Sequence, residues 1–118
     1  MFTDPQSITV DSVEQTLARI SSAGATSVYR EDVGEFSLRI SHEERKKGRN
    51  KRFISVMQTK VAADPFNSSI NQEYIARVSF KIDAPVVGYT AAELEDLSLA
   101  LAGWLTSANV LKVLGGET

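Results

Sequence analysis

Alternation of apolar and polar residues is clearest in the middle of the chain. Phe36, Leu38, Ile40 and His42 alternate with Ser37, Arg39, Ser41 and Glu43, the period-two signature of a half-buried strand. Arg52–Val61 is rich in β-formers such as Phe53, Ile54 and Val56 and predicts a second strand. Between them, Glu44–Arg52 is too charged to bury, and Gly48-Arg49-Asn50 supplies turn chemistry. The short spacing predicts an antiparallel hairpin. Glu73–Asp83 predicts a third strand, with Tyr74, Ala76, Val78, Phe80 and Ile82 on one face and Ile75, Arg77, Ser79, Lys81 and Asp83 on the other. The intervening Ala62–Gln72, with Asp64-Pro65 and Asn67-Ser68-Ser69, is longer than a usual hairpin connection, which points to a task of its own.

The flanks read differently. Ser7–Val10 alternates weakly, as a short strand. Residues 12–20 fit two patterns: a helix opened by a capping box at Ser12-Val13-Glu14-Gln15, or a strand with Leu17 and Arg19 on one side and Thr16, Ala18 and Ile20 on the other. Ser21–Ala25 reads as a turn or loop. After Pro85 and Gly88 the period becomes helical. Thr90-Ala91-Ala92-Glu93 is a capping box, and Glu93, Glu95 and Asp96 suit the positive end of a helix dipole. Leu94, Leu97, Leu101, Trp104, Leu105 and Ala108 form a broad stripe, which Leu99, Ala100 and Ala102 extend around the helix. A helix apolar on most sides is buried on most sides, and one small sheet cannot supply that cover, so a second subunit is expected there. Val110, Leu111, Val113 and Leu114 predict a short second helix ended by Gly115-Gly116.

Composition narrows the function. A chain of 118 residues with 42% hydrophobic and 24% charged residues predicts a single domain. It divides into residues 1–32, a main sheet over 33–88 and helices over 89–115. No apolar run reaches the length of a membrane span, and Met1–Pro5 lacks the features of a signal peptide. With no cysteine and one histidine there is no thiol nucleophile and no His-based metal cluster. No Gly-x-Ser-x-Gly elbow or Gly-rich phosphate loop is present, so no catalytic residue, metal site or cofactor is expected. His42 reads as structural, Trp104 as core or dimer interface, and the acids at 93–96 as capping residues.

Net charge is −2, but it is segregated. From Arg39 to Lys81 ten basic residues stand against four acids, a balance of +6; the other three basic and eleven acidic residues carry −8. Such asymmetry marks an electrostatically specialised surface. The polar strand face gathers Arg39, Ser41, Arg77, Ser79 and Lys81, bordered by the basic loop Arg45, Lys46, Lys47, Arg49, Lys51 and Arg52. For the middle strand we expect Ile54, Val56, Gln58 and Lys60 on this face, with Phe53 and Met57 inward. Cations and hydroxyls in this arrangement suit phosphates and single-stranded bases.

The order of elements, with Ile8-Thr9-Val10, Val33–Ile40, Arg49-Asn50-Lys51-Arg52-Phe53, Gln72–Phe80 and the Thr90–Leu105 helix, resembles the coat proteins of the small single-stranded RNA bacteriophages, the leviviruses. The resemblance implies an α+β fold: an N-terminal β-hairpin, which resolves residues 12–20 as strand, an antiparallel sheet of about five strands, and two C-terminal helices interlocking across a homodimer. Leu94, Leu97, Leu101, Trp104 and Leu105 would form that interface. It also implies assembly in the bacterial host cytoplasm into an icosahedral virion capsid around single-stranded genomic RNA, with Val61–Glu73 at symmetry axes. The sheet face, through Arg39, Ser41, Gln58, Lys60, Arg77, Ser79 and Lys81, would contact RNA, and in several members it binds a hairpin that represses replicase translation. Ile75 stands where some members place a stacking tyrosine. The competing expectation is a cellular RNA-binding module that forms no shell.

Overall fold

A computed structural model describes residues 2–45 and 48–118. Its elements are β1 (Gln6–Val10), β2 (Val13–Ala23), β3 (Thr26–Arg30), β4 (Phe36–Arg45), β5 (Arg49–Ala63), β6 (Asn71–Pro85), α1 (Ala91–Trp104) and α2 (Ser107–Leu114). The strands form one six-stranded sheet in chain order. Every pair from β1–β2 to β4–β5 is antiparallel. Residues up to Asp83 and residues from Ala84 onward form two compact units.

The N-terminal stretch is strand. β1 pairs with Val13–Leu17 of β2 through a two-residue turn in which Asp11 and Ser12 both have positive φ (50° and 64°). That left-handed pair matches the twist of a tight hairpin. The second half of β2 pairs with β3, and the register shifts between Arg19 and Ser21. A bulge at this point sharpens the local bend, so one long strand serves both the hairpin and the main sheet. The turn expected over Ser21–Ala25 shrinks to Gly24-Ala25, and Gly24 at φ 59° takes the conformation a side chain resists. β3 is the sixth strand, one more than expected.

The core lies on one side of the sheet. Leu17, Tyr29, Phe36, Leu38 and Ile40 are buried together, with Ile8, Val10 and Val56 packed against them. Tyr29 pairs opposite Leu38 on β4 and opposite Arg19 on β2, so their side chains share this face. The Arg19 guanidinium lies 5.2 Å from the Tyr29 ring centroid and donates to its hydroxyl (2.9 Å) and to the Phe2 carbonyl (2.6 Å). The Arg19 backbone N–H donates to Asp4 Oδ1 at 2.9 Å. One side chain therefore ties the N-terminal segment to β2 and β3.

In the second unit Thr90 caps α1 as the sequence predicts: its hydroxyl accepts from the Glu93 N–H at 3.3 Å. Thr106 repeats the device for α2, which begins at Ser107, earlier than its apolar residues suggest, and ends at Gly115. Neither helix buries a side chain. Among the described residues no single helix is long and apolar enough to cross a membrane.

Candidate nucleic-acid interface

The ladder register sorts side chains by face. Phe36 pairs with Gln58, Leu38 with Val56, Ile40 with Ile54 and His42 with Arg52, and residues directly opposite share a face. Ile54, Val56 and Gln58 therefore lie on the core side, and alternation carries Lys60 with them. This corrects the expected placement of Ile54, Val56, Gln58 and Lys60 on the polar face. Gln58 instead donates through Nε2 to Glu35 Oε1 at 3.1 Å. A slip of one residue reverses every side chain of a strand, and Phe53, Ile54, Val56 and Met57 put apolar residues at both parities, so composition offered no contrast to fix it.

The opposite face is correspondingly different. Ser37, Arg39, Ser41 and Glu43 of β4 pair with Met57, Ser55, Phe53 and Lys51 of β5. Phe53 and Met57, expected inward, are here, half-buried among polar neighbours. β3 adds Thr26, Val28 and Arg30, paired with Ser41, Arg39 and Ser37. None of the three was foreseen, because the strand carrying them was not. Two contacts place the odd-numbered residues of β6 on the same face. Arg77 Nη2 lies 3.5 Å from Met57 Sδ, and Arg49 Nε lies 3.2 Å from Asp83 Oδ1. Arg77, Ser79 and Lys81 therefore join Arg39, Ser41 and Lys51, as the sequence pattern predicts.

Among the described residues Arg49–Asp83 is the one ion pair, which spends one cation of this face on an internal partner. Arg52 lies opposite His42 on the core side, away from the cationic field. Arg45 pairs with Arg49 at the end of the ladder, while Lys46 and Lys47 lie outside the described residues. No group of three or more metal-ligating side chains is present among the described residues.

Concavities open on both sides of the sheet. One, of about 440 Å³, lies among Phe2, Tyr29, Ile40 and His42 on the apolar side. The other, of about 200 Å³, is lined by Arg39, Ser41, Glu43, Lys51 and Phe53 on the polar side. Between β5 and β6, residues 64–70 form a loop held by its own hydrogen bonds: the Asp64 N–H donates to the Ile70 carbonyl, the Phe66 N–H to Asp64 Oδ1 and Gln72 Nε2 to Asp64 Oδ2, each at 2.8 Å. Phe66 at its tip is 98% exposed.

A hairpin, a sheet with one polar cationic face and two helices with no fully buried side chain define a shell-forming subunit of the levivirus kind. Residues 3–85 match the family of the phage phiCb5 coat protein, and the chain belongs to that family. It is a structural coat protein of a bacteriophage virion capsid, not an enzyme. No individually curated protein matches the sequence. Among solved structures, the virus-like particle of bacteriophage AVE019 superposes with a TM-score of 0.82 at 15% identity, covering 98% of this chain and 97% of that one. The bacteriophage EMS014 coat protein gives 0.73 at 20% identity, covering 89% and 74%. The capsid protein of bacteriophage GA gives 0.66 at 14% identity, covering 96% and 95%. The family sets aside the competing expectation of a cellular module that forms no shell.

Proposed function

We propose that the polar sheet face lines the inside of the capsid and packages single-stranded RNA. The observation that supports this is the register-defined cluster of Arg39, Lys51, Arg77 and Lys81 with Ser41 and Ser79 on one open β-surface. Phosphates take cations and hydroxyl donors, and packaging needs no base-specific contact because charge and shape suffice for it. For that reason packaging is the reading adopted here ahead of hairpin-specific repression of translation.

The assembling unit in this reading is a homodimer in which each chain is a single coat-protein domain. β6 is the last strand in the sheet order, so one edge of its 15 residues has no strand partner among the described residues. A long free edge invites pairing with another chain. Leu97, Leu101, Trp104 and Leu105 are 60%, 48%, 53% and 49% exposed, and Leu94 is half-buried. Apolar exposure on that scale marks an interaction surface. A second copy that continues the sheet at β6 and covers these helices answers both features.

The test is expression of the chain alone in bacteria. Particles of megadalton mass with a nucleic-acid-like absorbance ratio are expected, and a combined Lys51→Ala, Arg77→Ala, Lys81→Ala variant should form particles with clearly less RNA. A homogeneous RNA-free dimer under all conditions, or an unchanged RNA load in the triple variant, would refute the reading.

A further inference from the structure

Lys60 lies on the core side of β5, turned away from the cationic face, and among the described residues it has no ion-pair partner. The Asp64–Ile70 hydrogen bond and the Arg77–Met57 contact set one register between β5 and β6, which brings Tyr74 opposite Lys60. Tyr74 is 40% and Val78 75% exposed. This part of the core side is an uncovered apolar floor with a single exposed cation on it. The start of α1 has the complementary make-up. Leu94, Leu97 and Leu101 form its apolar stripe, and Glu93, one turn before Leu97, borders that stripe. The Thr90 hydroxyl lies 3.3 Å from Glu93 Oε1, which leaves the second carboxylate oxygen for another partner.

We propose that Lys60 pairs with Glu93 of the partner subunit, an ion pair made twice across the dimer axis that fixes where each α1 docks. The inference rests on the homodimer reading above and adds the contact that orients it. Two copies present one cationic floor only if both polar faces lie on the same side of the joined sheet. A two-fold axis perpendicular to the sheet does this, and it runs the two β6 strands antiparallel. The end of one β6, at Pro85, then lies near the beginning of the other, at Asn71. Lys60 stands at that same end of the sheet, one strand in from the edge, because β5 and β6 are closed by the loop at residues 64–70. Neighbouring strands are about 4.8 Å apart, which places Lys60 about 10 Å from the partner's β6. The linker Val86–Thr90 spans up to about 17 Å when extended, enough to bring the first turn of the partner's α1 over Lys60. The apolar stripe of that helix then covers Tyr74 and Val78, and the loss of water strengthens the attraction between the charges. A helix docked in another direction would bury Lys60 without a counter-charge, which is costly, so the pair favours one arrangement over its competitors.

The test is zero-length carbodiimide coupling of the full-length protein, which joins an amine to a carboxylate only where the two touch. Natural and heavy-isotope chains are refolded together in equal amounts and then coupled. A covalent dimer should appear on a denaturing gel, and mass spectrometry should find Lys60 joined to Glu93 in peptides that mix the two isotopes. Lys60→Met and Glu93→Gln, the second of which keeps the capping box, should each remove that peptide. Each should also weaken dimerisation by about tenfold, since two pairs are lost per dimer, and the double variant should be no weaker than either single one. Lys60→Met should leave the RNA load of the particles unchanged. A Lys60–Glu93 link confined to single chains, or losses that add in the double variant, would overturn the proposal. So would a lower RNA load in Lys60→Met, which would return Lys60 to the RNA surface. A normal dimer that yields no Lys60–Glu93 peptide removes this contact and leaves the dimer reading standing. Sedimentation that finds only monomer in the natural sequence overturns both.

Discussion

Leu17 and Leu101 are the same side chain in opposite surroundings. Leu17 is fully buried within its own chain, in contact with Tyr29 and the β4 leucine, while Leu101 is about half exposed. Leu17→Ala should cost about 2–5 kcal/mol, read as a fall in the denaturation midpoint. Leu101→Ala should cost a comparable amount only where a second copy covers it, so its effect should appear as weaker dimerisation. An effect of Leu101→Ala that is independent of protein concentration would argue against the proposed interface. On the cationic face, Arg77→Ala and Lys81→Ala should each lower the salt dependence of RNA binding by about one counterion. Arg49→Ala should do less, because Arg49 is engaged with Asp83. These β4 and β6 residues were legible because small polar and charged side chains alternate strictly with large apolar ones. Phe53 was not legible: Phe53, Ile54, Val56 and Met57 are all apolar, and only the pairing of Ser41 with Phe53 decides which face each one occupies.

Between residue and molecule, the elements were readable wherever local chemistry announces itself. The capping box at Thr90 set the start of α1, and Thr90→Ala should destabilise the helix by about 1 kcal/mol, measured as reduced thermal stability. β3 went unread because Thr26–Arg30 is five residues long and carries one buried large side chain, Tyr29. Its existence follows from the neighbours it pairs with, β2 and β4, and so from contacts distant in sequence. The β1–β2 turn was obscured for a different reason. Asp11 and Ser12 occupy left-handed positions where glycine or asparagine is usual, and the same segment mimics a helix start. The β5–β6 loop was recognised by its length, and its internal hydrogen bonds give it a defined form. Replacing residues 64–70 with an Asn-Gly turn should preserve the circular dichroism of the sheet and abolish or resize the particles, seen by electron microscopy. Particles of unchanged diameter would remove the loop from the shell contacts implied by the family resemblance.

At the scale of the whole molecule, the basic stretch read from the sequence is divided between the two sides of the sheet: Arg39, Lys51, Arg77 and Lys81 share the polar face with Glu43 and Asp83, while Arg52 and Lys60 lie on the core side. Dimer and fold are one equilibrium in the proposed assembly, so the melting temperature should rise with protein concentration; a temperature independent of dilution would mean that the lone chain is self-sufficient. The bare helices have a further effect during infection. A newly made copy without a mate presents leucines and a tryptophan to water, the kind of surface that chaperones bind and proteases attack. In the proposed dimer a mate would remove that mark. The lifetime of each copy would then depend on how many others surround it, with scarce copies cleared before they could build shells.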